Sequence, residues 1–238
     1  MLVKNKIVVT GGTGRFAQSL KKIKTKYNFI YPNKKRLDIT NKNSIYRFLK
    51  KEKPKSVLHL AGLSRPMIEH EKNIAKSIHL NIIGTANLVA ICSKLRIKLI
   101  YFSTSYVYPG DKGNYKENDP ILPWNNYGWS KLGGECSVQM YKNSLILRVC
   151  MTEEPFIHKK AFANVKLNFI FHKQIAELLV KLLNKKGIVN LGGPIKTVYD
   201  FAKRYNPNIK KIFNKKNLTY NFPKNPSMNI AKLNKIIK

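Results

Sequence analysis

The sequence predicts an α/β fold: a doubly wound parallel sheet with helices on both faces and a small C-terminal lobe. Three observations predict it. Strand-like and helix-like segments alternate from residue 5 to residue 150, the pattern of consecutive βα units. A glycine-rich turn, "TGGTGRFA", joins the first strand to the first helix. The alternation loosens after Cys150. The expected division is therefore a sheet domain over 1–150 and a reduced, partly interleaved lobe over 151–238.

Each element has its own reason. "NKIVVT" (5–10) is a short apolar run with β-branched residues and reads as the first strand. A helix follows from about Gly14 to Lys24, and "NFIY" (28–31) is a short second strand. "NKNSIYRFLKKEK" (41–53) sets Ile45, Phe48 and Leu49 at helical spacing. "KSVLHLAG" (55–62) is the third strand. "KNIAKSIHLNIIGTANLVAICSKL" (72–95) has apolar residues three and four apart and predicts one long helix. "KLIYFSTS" (98–105) is a strand, "YGWSKLGGECSVQMYK" (127–142) a helix and "SLILRVC" (144–150) a strand. Beyond Cys150, "HKQIAELLVKLLNKKG" (172–187) is amphipathic, with Gly187 read as its stop signal. "GIVNLGG" is a short strand and "TVYDFAKRY" the last clear helix. The tail, 206–238, is rich in Lys, Asn and Pro and is expected to be partly irregular.

At 238 residues, with 43% apolar and 11% aromatic residues, the chain can bury a substantial core. Its formal net charge of +33 is extreme, which raises nucleic acid as a partner. The pattern argues against that. Only seven of the 45 basic residues are arginine, and the lysines are scattered in twos and threes. Arginine reads bases and buried phosphates, whereas surface lysine is a solvated point charge. No specific nucleic-acid surface is expected, although the positive field favours an anionic small substrate.

Cys92, Cys136 and Cys150 are odd in number and have no metal-ligand spacing, so neither a disulfide framework nor a metal site is expected. His59 and His79 are read as structural. No signal-type apolar core opens the chain, and no run approaches the roughly 20 apolar residues of a membrane span. A cytoplasmic location and no membrane span are the expectation.

The chemistry is carried by three motifs. In Gly11-Gly12-Thr13-Gly14-Arg15-Phe16-Ala17 the glycines allow a tight turn and close backbone approach to a pyrophosphate. The spacing is GxxGxxA, and Ala17 stands where a third glycine would pack helix against sheet, a substitution that is tolerated. Tyr127-Gly128-Trp129-Ser130-Lys131 places a phenol and an ammonium at i and i+4 of a predicted helix, on one face. A free tyrosine has a pKa of about 10 and is a proton donor at neutral pH. The third motif is "YFSTSYVYPG" (101–110), where hydroxyls stand at the end of a strand. Sites in open α/β sheets lie at the carboxyl ends of strands.

The ordered set "TGGTGRFA", "LDIT", "HLAG", "HLNIIGT", "FSTSYVYPG", "ENDPILPWNNYGWSKLGGE" and "LILR" resembles the extended short-chain dehydrogenase/reductase superfamily, whose sheet is of the Rossmann type. Within it the chain is most similar to the dTDP-4-dehydrorhamnose reductase group. The similarity is specific over roughly 5–150 and weaker over 170–205. The resemblance implies a catalytic group of Thr104, Tyr127 and Lys131. It implies that Gly11, Gly12, Thr13, Gly14, Arg15 and Phe16 lie along a dinucleotide, with Ser103, Tyr127 and Lys131 also at the cofactor. Asp38 and Ile39 match the adenine contact, and Ala61 and Gly62 a strand end beside the cofactor. Thr104, Ser105, Tyr106 and Tyr127 would meet the substrate, and Asn81 is read as structural. The implied reaction is hydride transfer from a nicotinamide to the 4-keto carbon of a nucleotide-linked deoxysugar, with the proton from Tyr127.

After the second strand, "YPNKKR" offers three bases and no acid, and Arg15 adds a fourth base in the glycine loop. An acid there usually holds the ribose hydroxyls of NAD, so NADP(H) is favoured over NAD(H). The departures concern the substrate lobe. "STS" replaces the family's "STD" at Ser105, the stretch between Arg148 and residue 172 is short, and Phe222 replaces an arginine. Glu153–Glu154 is read as a surface loop feature, with a substrate role as the lesser alternative. Two alternatives stay open: a nucleotide-sugar epimerase or epimerase/reductase, and a non-catalytic NADP-binding regulatory subunit like that of methionine adenosyltransferase. A homodimer is one option for the quaternary state.

Overall fold

Strands buried at nearly every position from Ile7 onward, because both of their faces are covered, build the molecule. In the computed structural model, which describes residues 5–214 and 222–238, six strands form one parallel sheet. These are β1 (Lys6–Thr10), β2 (Asn28–Ile30), β3 (Ser56–His59), β4 (Lys98–Thr104) and β5 (Ser144–Val149), joined by β10 (Gly187–Leu191). Their order is β10-β5-β4-β3-β1-β2, and every pairing is parallel. The order reverses beside β1, which opens a crevice at the carboxyl ends of β1 and β3.

Because side chains alternate along a strand, each strand feeds two cores. Ile7, Val9, Leu58, Ile100, Phe102, Leu145, Leu147, Val189 and Leu191 face one side. There they meet α1 (Arg15–Lys21), α7 (His172–Leu182) and α9 (Ala231–Ile237) through Phe16, Leu20, Ile175, Leu179 and Leu233. Val8, Val57, Leu99, Tyr101 and Ile146 face the other side. They meet Ile45, Phe48 and Leu49 of α2 (Lys42–Glu52), Leu88 and Cys92 of α5 (Gly84–Lys94), and Val138 of α6 (Asn126–Gln139).

A third core gathers Val107, Tyr108, Tyr115, Phe156, Val165, Leu167, Phe171, Phe201 and Met228. Short ladders frame it: β6 (Met151–Thr152) with β9 (Ile170–Phe171), β7 (Lys160–Phe162) with β12 (Lys210–Ile212), and β8 (Lys166–Leu167) with β11 (Lys196–Thr197). Val198 and Phe201 of α8 (Val198–Lys203) belong to the same core.

Several element boundaries differ from the sequence expectation. The long helix begins with two single turns, α3 (Glu69–Lys72) and α4 (Ile74–Ser77), and carries a π turn at Ile78–Ile83 before α5. The π turn holds Asn81, whose buried side chain bonds across to two other elements; such wide turns often mark functional positions. The stretch Ile74–Lys94 is, against expectation, long and apolar enough to cross a membrane by length and composition. Here it is a partly buried core helix. Its buried polar residues Asn81, Thr85 and Asn87 find protein partners, as buried polar groups must.

β4 stops at Thr104 because Thr104 Oγ1 accepts from the Tyr106 amide at 3.2 Å and starts a 3-10 turn, Ser105–Val107. α7 ends at Leu182, five residues before Gly187. Gly187, with φ of 83°, opens β10 instead of closing the helix. The tail is more ordered than expected where it is described: Met228 is fully buried and α9 packs on the sheet. Residues 215–221 of that tail lie outside the described residues.

Candidate active site

The glycine loop leaves β1 through Gly11, whose φ is +69°, a conformation that side chains with a Cβ rarely adopt. A Cβ there would also stand 2.7 Å from the Ala61 amide nitrogen, so glycine lets the loops after β1 and β3 touch. Thr10 Oγ1 seals this junction by accepting from the amides of Leu60 and Ala61, both at 3.2 Å. His59 Nδ1 bonds Thr10 Oγ1 at 2.8 Å and its Nε2 meets Thr85 Oγ1 at 3.0 Å. Burial pushes His59 down to about 3, so the ring is a neutral strut, as its structural reading expected. His79 differs: it lies exposed on the helix.

A cleft of about 630 Å³ opens along this loop, within the size range of small-molecule sites. It brings together all the residues expected at a site: Gly11, Gly12, Thr13, Gly14, Arg15, Phe16, Asp38, Ile39, Ala61, Gly62, Ser103, Thr104, Ser105, Tyr106, Tyr127 and Lys131. Asp38 is fixed by Thr40, whose amide and hydroxyl donate to Oδ1 at 2.9 and 2.7 Å. Burial pushes the Asp38 carboxyl up, but these bonds and the Lys34 charge outweigh it and hold it low. Asn87 Nδ2 anchors the same turn through the Ile39 carbonyl at 3.1 Å. Of the three bases after β2, Lys34 lines the cleft. Arg36 pairs with Glu52 at 3.7 Å and lies over Phe48.

Helix α6 delivers Tyr127, Lys131 and Glu135 on one face, at i, i+4 and i+8. Its start is set by Asn125, whose side chain accepts from the Gly128 amide at 2.8 Å. The half-buried Tyr127 ring packs edge-on against Tyr106 and His70, with centroids at 5.7 and 5.1 Å. Burial raises the Tyr127 pKa, while the nearby Thr104 hydroxyl and the charge of Arg65 pull the other way. The phenol therefore keeps its proton at neutral pH and can donate it. Burial brings Lys131 down to about 7, and Glu135 opposes that shift. The Lys131 Nζ lies 4.2 Å from the centre of the Tyr101 ring.

Beneath the site is a buried polar network that the sequence reading missed. Glu135 and Arg148 pair at 2.6 Å with side chains 0% and 2% exposed. Ser103 Oγ donates to Glu135 Oε2 at 2.6 Å, so this hydroxyl is spent on the network although Ser103 lines the cleft. Arg148 also donates to Tyr108 Oη at 2.8 Å and to the Glu117 carbonyl at 3.0 Å. The only signal in the sequence was an arginine inside an otherwise apolar strand. Asn81 is structural, as expected. Its amide donates to the Leu63 carbonyl at 2.9 Å and to Ser130 Oγ at 2.8 Å, tying the loop after β3 to α6. Ser105 is buried beside the Cys150 thiol, and its hydroxyl has no oxygen or nitrogen partner among the described residues.

One expectation needs correcting. Glu153 is not a surface feature: its side chain is 15% exposed and lines the cleft. Arg15, its side chain 53% exposed, has its Nη1 2.8 Å from Glu153 Oε1. Arg65, another cleft residue that sequence reasoning missed, donates to the same oxygen at 2.8 Å. Residues 15, 65 and 153 meet because the start of α1, the loop after β3 and the loop after β6 all open into this cleft.

The arrangement suits a dinucleotide. Glycine backbone, the Asp38–Ile39 turn and the Ala61–Gly62 loop line one cleft that ends at a proton-bearing phenol. Known proteins match it. The dTDP-4-dehydrorhamnose reductase of Aggregatibacter actinomycetemcomitans is 29% identical over 152 residues, covering 62% of this chain and 51% of that protein. Methionine adenosyltransferase 2 subunit beta of Xenopus laevis is 28% identical over 153 residues, covering 60% and 45%. The chain thus spans about half the length of the curated relatives it matches. Among solved structures, the dTDP-4-dehydrorhamnose reductase of Bacillus anthracis in complex with NADP has the same fold, with a TM-score of 0.87 at 21% identity over 98% of this chain and 92% of that one. A hypothetical dTDP-4-dehydrorhamnose reductase from Sulfolobus tokodaii follows at 0.85 and 22%, covering 97% and 94%. The family described as the RmlD substrate binding domain matches residues 5–177. With that match over most of its length, this chain belongs to the RmlD substrate-binding domain family.

Proposed function

We propose that the protein is an NADP(H)-dependent reductase of a nucleotide-linked 4-keto-6-deoxysugar. The observation that carries this reading is the convergence of Thr104, Tyr127 and Lys131 with the glycine loop on one cleft. A bound dinucleotide would lie between that loop, Asp38–Ile39 and Ala61–Gly62, and would supply the hydride. Tyr127 gives its proton to the carbonyl oxygen. Thr104 orients the phenol, and the Lys131 cation stabilises the phenolate that forms. Lys34, beside Asp38 on the cleft wall, is the base proposed to meet a 2′-phosphate. The deciding assay is NADPH oxidation with a panel of dTDP- and UDP-linked 4-keto-6-deoxyhexoses. Absence of turnover with every member sinks the reading.

The pH dependence is specific. Lys131 ionises near 7, and its cationic form is the one that steadies the phenolate. kcat/KM is therefore expected to fall as pH rises through about 7, since this parameter reports the free enzyme. Glu135→Gln removes the charge that opposes the shift and should move the falling limb to lower pH. A limb unmoved in that variant would separate Lys131 from it.

A second reading, a non-catalytic NADP-binding subunit, is favoured by the matches to methionine adenosyltransferase 2 subunit beta. NADP binding without turnover of any keto sugar, together with a stable protein partner, would select it. An epimerase would convert the sugar without net NADPH consumption.

A further inference from the structure

Arg15 and Arg65 are like charges from two different loops, and both reach a single oxygen, Glu153 Oε1, at 2.8 Å. The other oxygen, Oε2, is buried and has no hydrogen-bond partner among the described residues. A carboxylate placed to bind arginine tightly uses both oxygens in a fork; this one uses one. The arginine side chains are 53% and 40% exposed, the glutamate 15%. The cations can therefore swing toward a ligand while the carboxylate is held in the wall. His172 stands next to the group, edge-on to Phe16 at 5.9 Å. Burial lowers its pKa, so it adds no charge at neutral pH. The cluster is a pair of cations whose charge is half cancelled by one poorly bonded acid.

We infer that Arg15 and Arg65 form a diphosphate subsite of the cleft, and that Glu153 is its internal competitor, which a ligand's diphosphate must displace. The inference rests on the reading that the cleft takes a dinucleotide and a nucleotide-linked sugar. Either ligand offers a diphosphate ester, whose several oxygens satisfy both guanidinium forks where one carboxylate oxygen cannot. The consequence is a selectivity device. In a chain with 45 basic residues, stray anions are abundant around the surface. A guard carboxylate raises the threshold so that a monoanion is refused and a diphosphate admitted.

The test measures dissociation constants of inorganic pyrophosphate, NADP+, UDP and dTDP by titration calorimetry at 0.15 M salt, on the full chain. Glu153→Gln keeps the side-chain shape and removes the charge. It is expected to bind pyrophosphate about tenfold more tightly. The same gain with NADP+ assigns the subsite to the cofactor, and the same gain with UDP or dTDP assigns it to the substrate. The triple variant Glu153→Gln, Arg15→Gln, Arg65→Gln should lose the gain. Unchanged or weaker pyrophosphate binding in a folded Glu153→Gln protein overturns the inference, as does a gain that survives in the triple variant or that extends to neither ester. Glu153→Ala, checked by thermal melting, repeats the measurement should the glutamine variant fold poorly. A wild-type chain that binds no NADP+ would remove the cofactor reading yet leave the pyrophosphate result to judge Glu153 separately.

Discussion

Tyr127→Phe is expected to lower kcat for a keto sugar by about 10²- to 10⁴-fold, the usual worth of a positioned general acid. The substitution removes one oxygen and little else. The ring stays seated against Tyr106 and His70, and the helix face that carries Lys131 is untouched. NADPH affinity should therefore stay within about twofold of wild type, read by fluorescence titration. The split between a lost kcat and an intact binding constant marks a proton donor rather than a structural residue. Undiminished turnover would remove Tyr127 from the mechanism. Loss of NADPH binding would make the phenol a cofactor contact instead.

Arg148→Met is expected to destabilise the fold by about 3–5 kcal/mol, the cost of leaving a buried partner charge alone. Its partner Glu135 is fully buried, and with Arg148 gone it keeps Ser103 as a donor but, among the described residues, no cation within ion-pair distance. Tyr108 Oη and the Glu117 carbonyl lose a donor as well. Chemical denaturation of wild type and variant gives the difference directly. The double variant Arg148→Met, Glu135→Leu should recover most of it, because a well-packed apolar pair often equals a buried ion pair. A single variant as stable as wild type would show that water reaches Glu135. Because Glu135 lies one turn from Lys131, the same network governs the electrostatics of the site.

Much of the fold was legible because a local rule suffices for it. β1 and β5 are apolar runs bounded by turn residues, α2 shows its face through Ile45, Phe48 and Leu49, and the alternation of such segments leaves few topologies. The glycine turn was legible because glycine takes a φ such as the +69° found at Gly11 far more readily than residues with a Cβ. Tyr127 and Lys131 were legible because a helix turns any i, i+4 pair onto one face. The boundaries were less so. Gly187 reads as a helix stop, yet its left-handed φ of 83° serves the entry to β10. The π turn at Asn81 goes with what its side chain reaches: Leu63 in the loop after β3 and Ser130 in α6.

The sequence by itself determined the parallel α/β sheet, the glycine turn after β1 and the helix face that carries the phenol and the ammonium. Each of these depends on the backbone period of one segment. The tertiary structure alone decided that Glu153 is a cleft residue, that Arg15 and Arg65 share one of its oxygens, and that Ser103 serves Glu135. It also decided that Lys131 ionises near 7. These properties are set by burial and by charged and polar groups brought together from residues 15, 65, 103, 131, 135, 148 and 153. Distance and desolvation, unlike periodicity, exist only once the strands have been placed side by side.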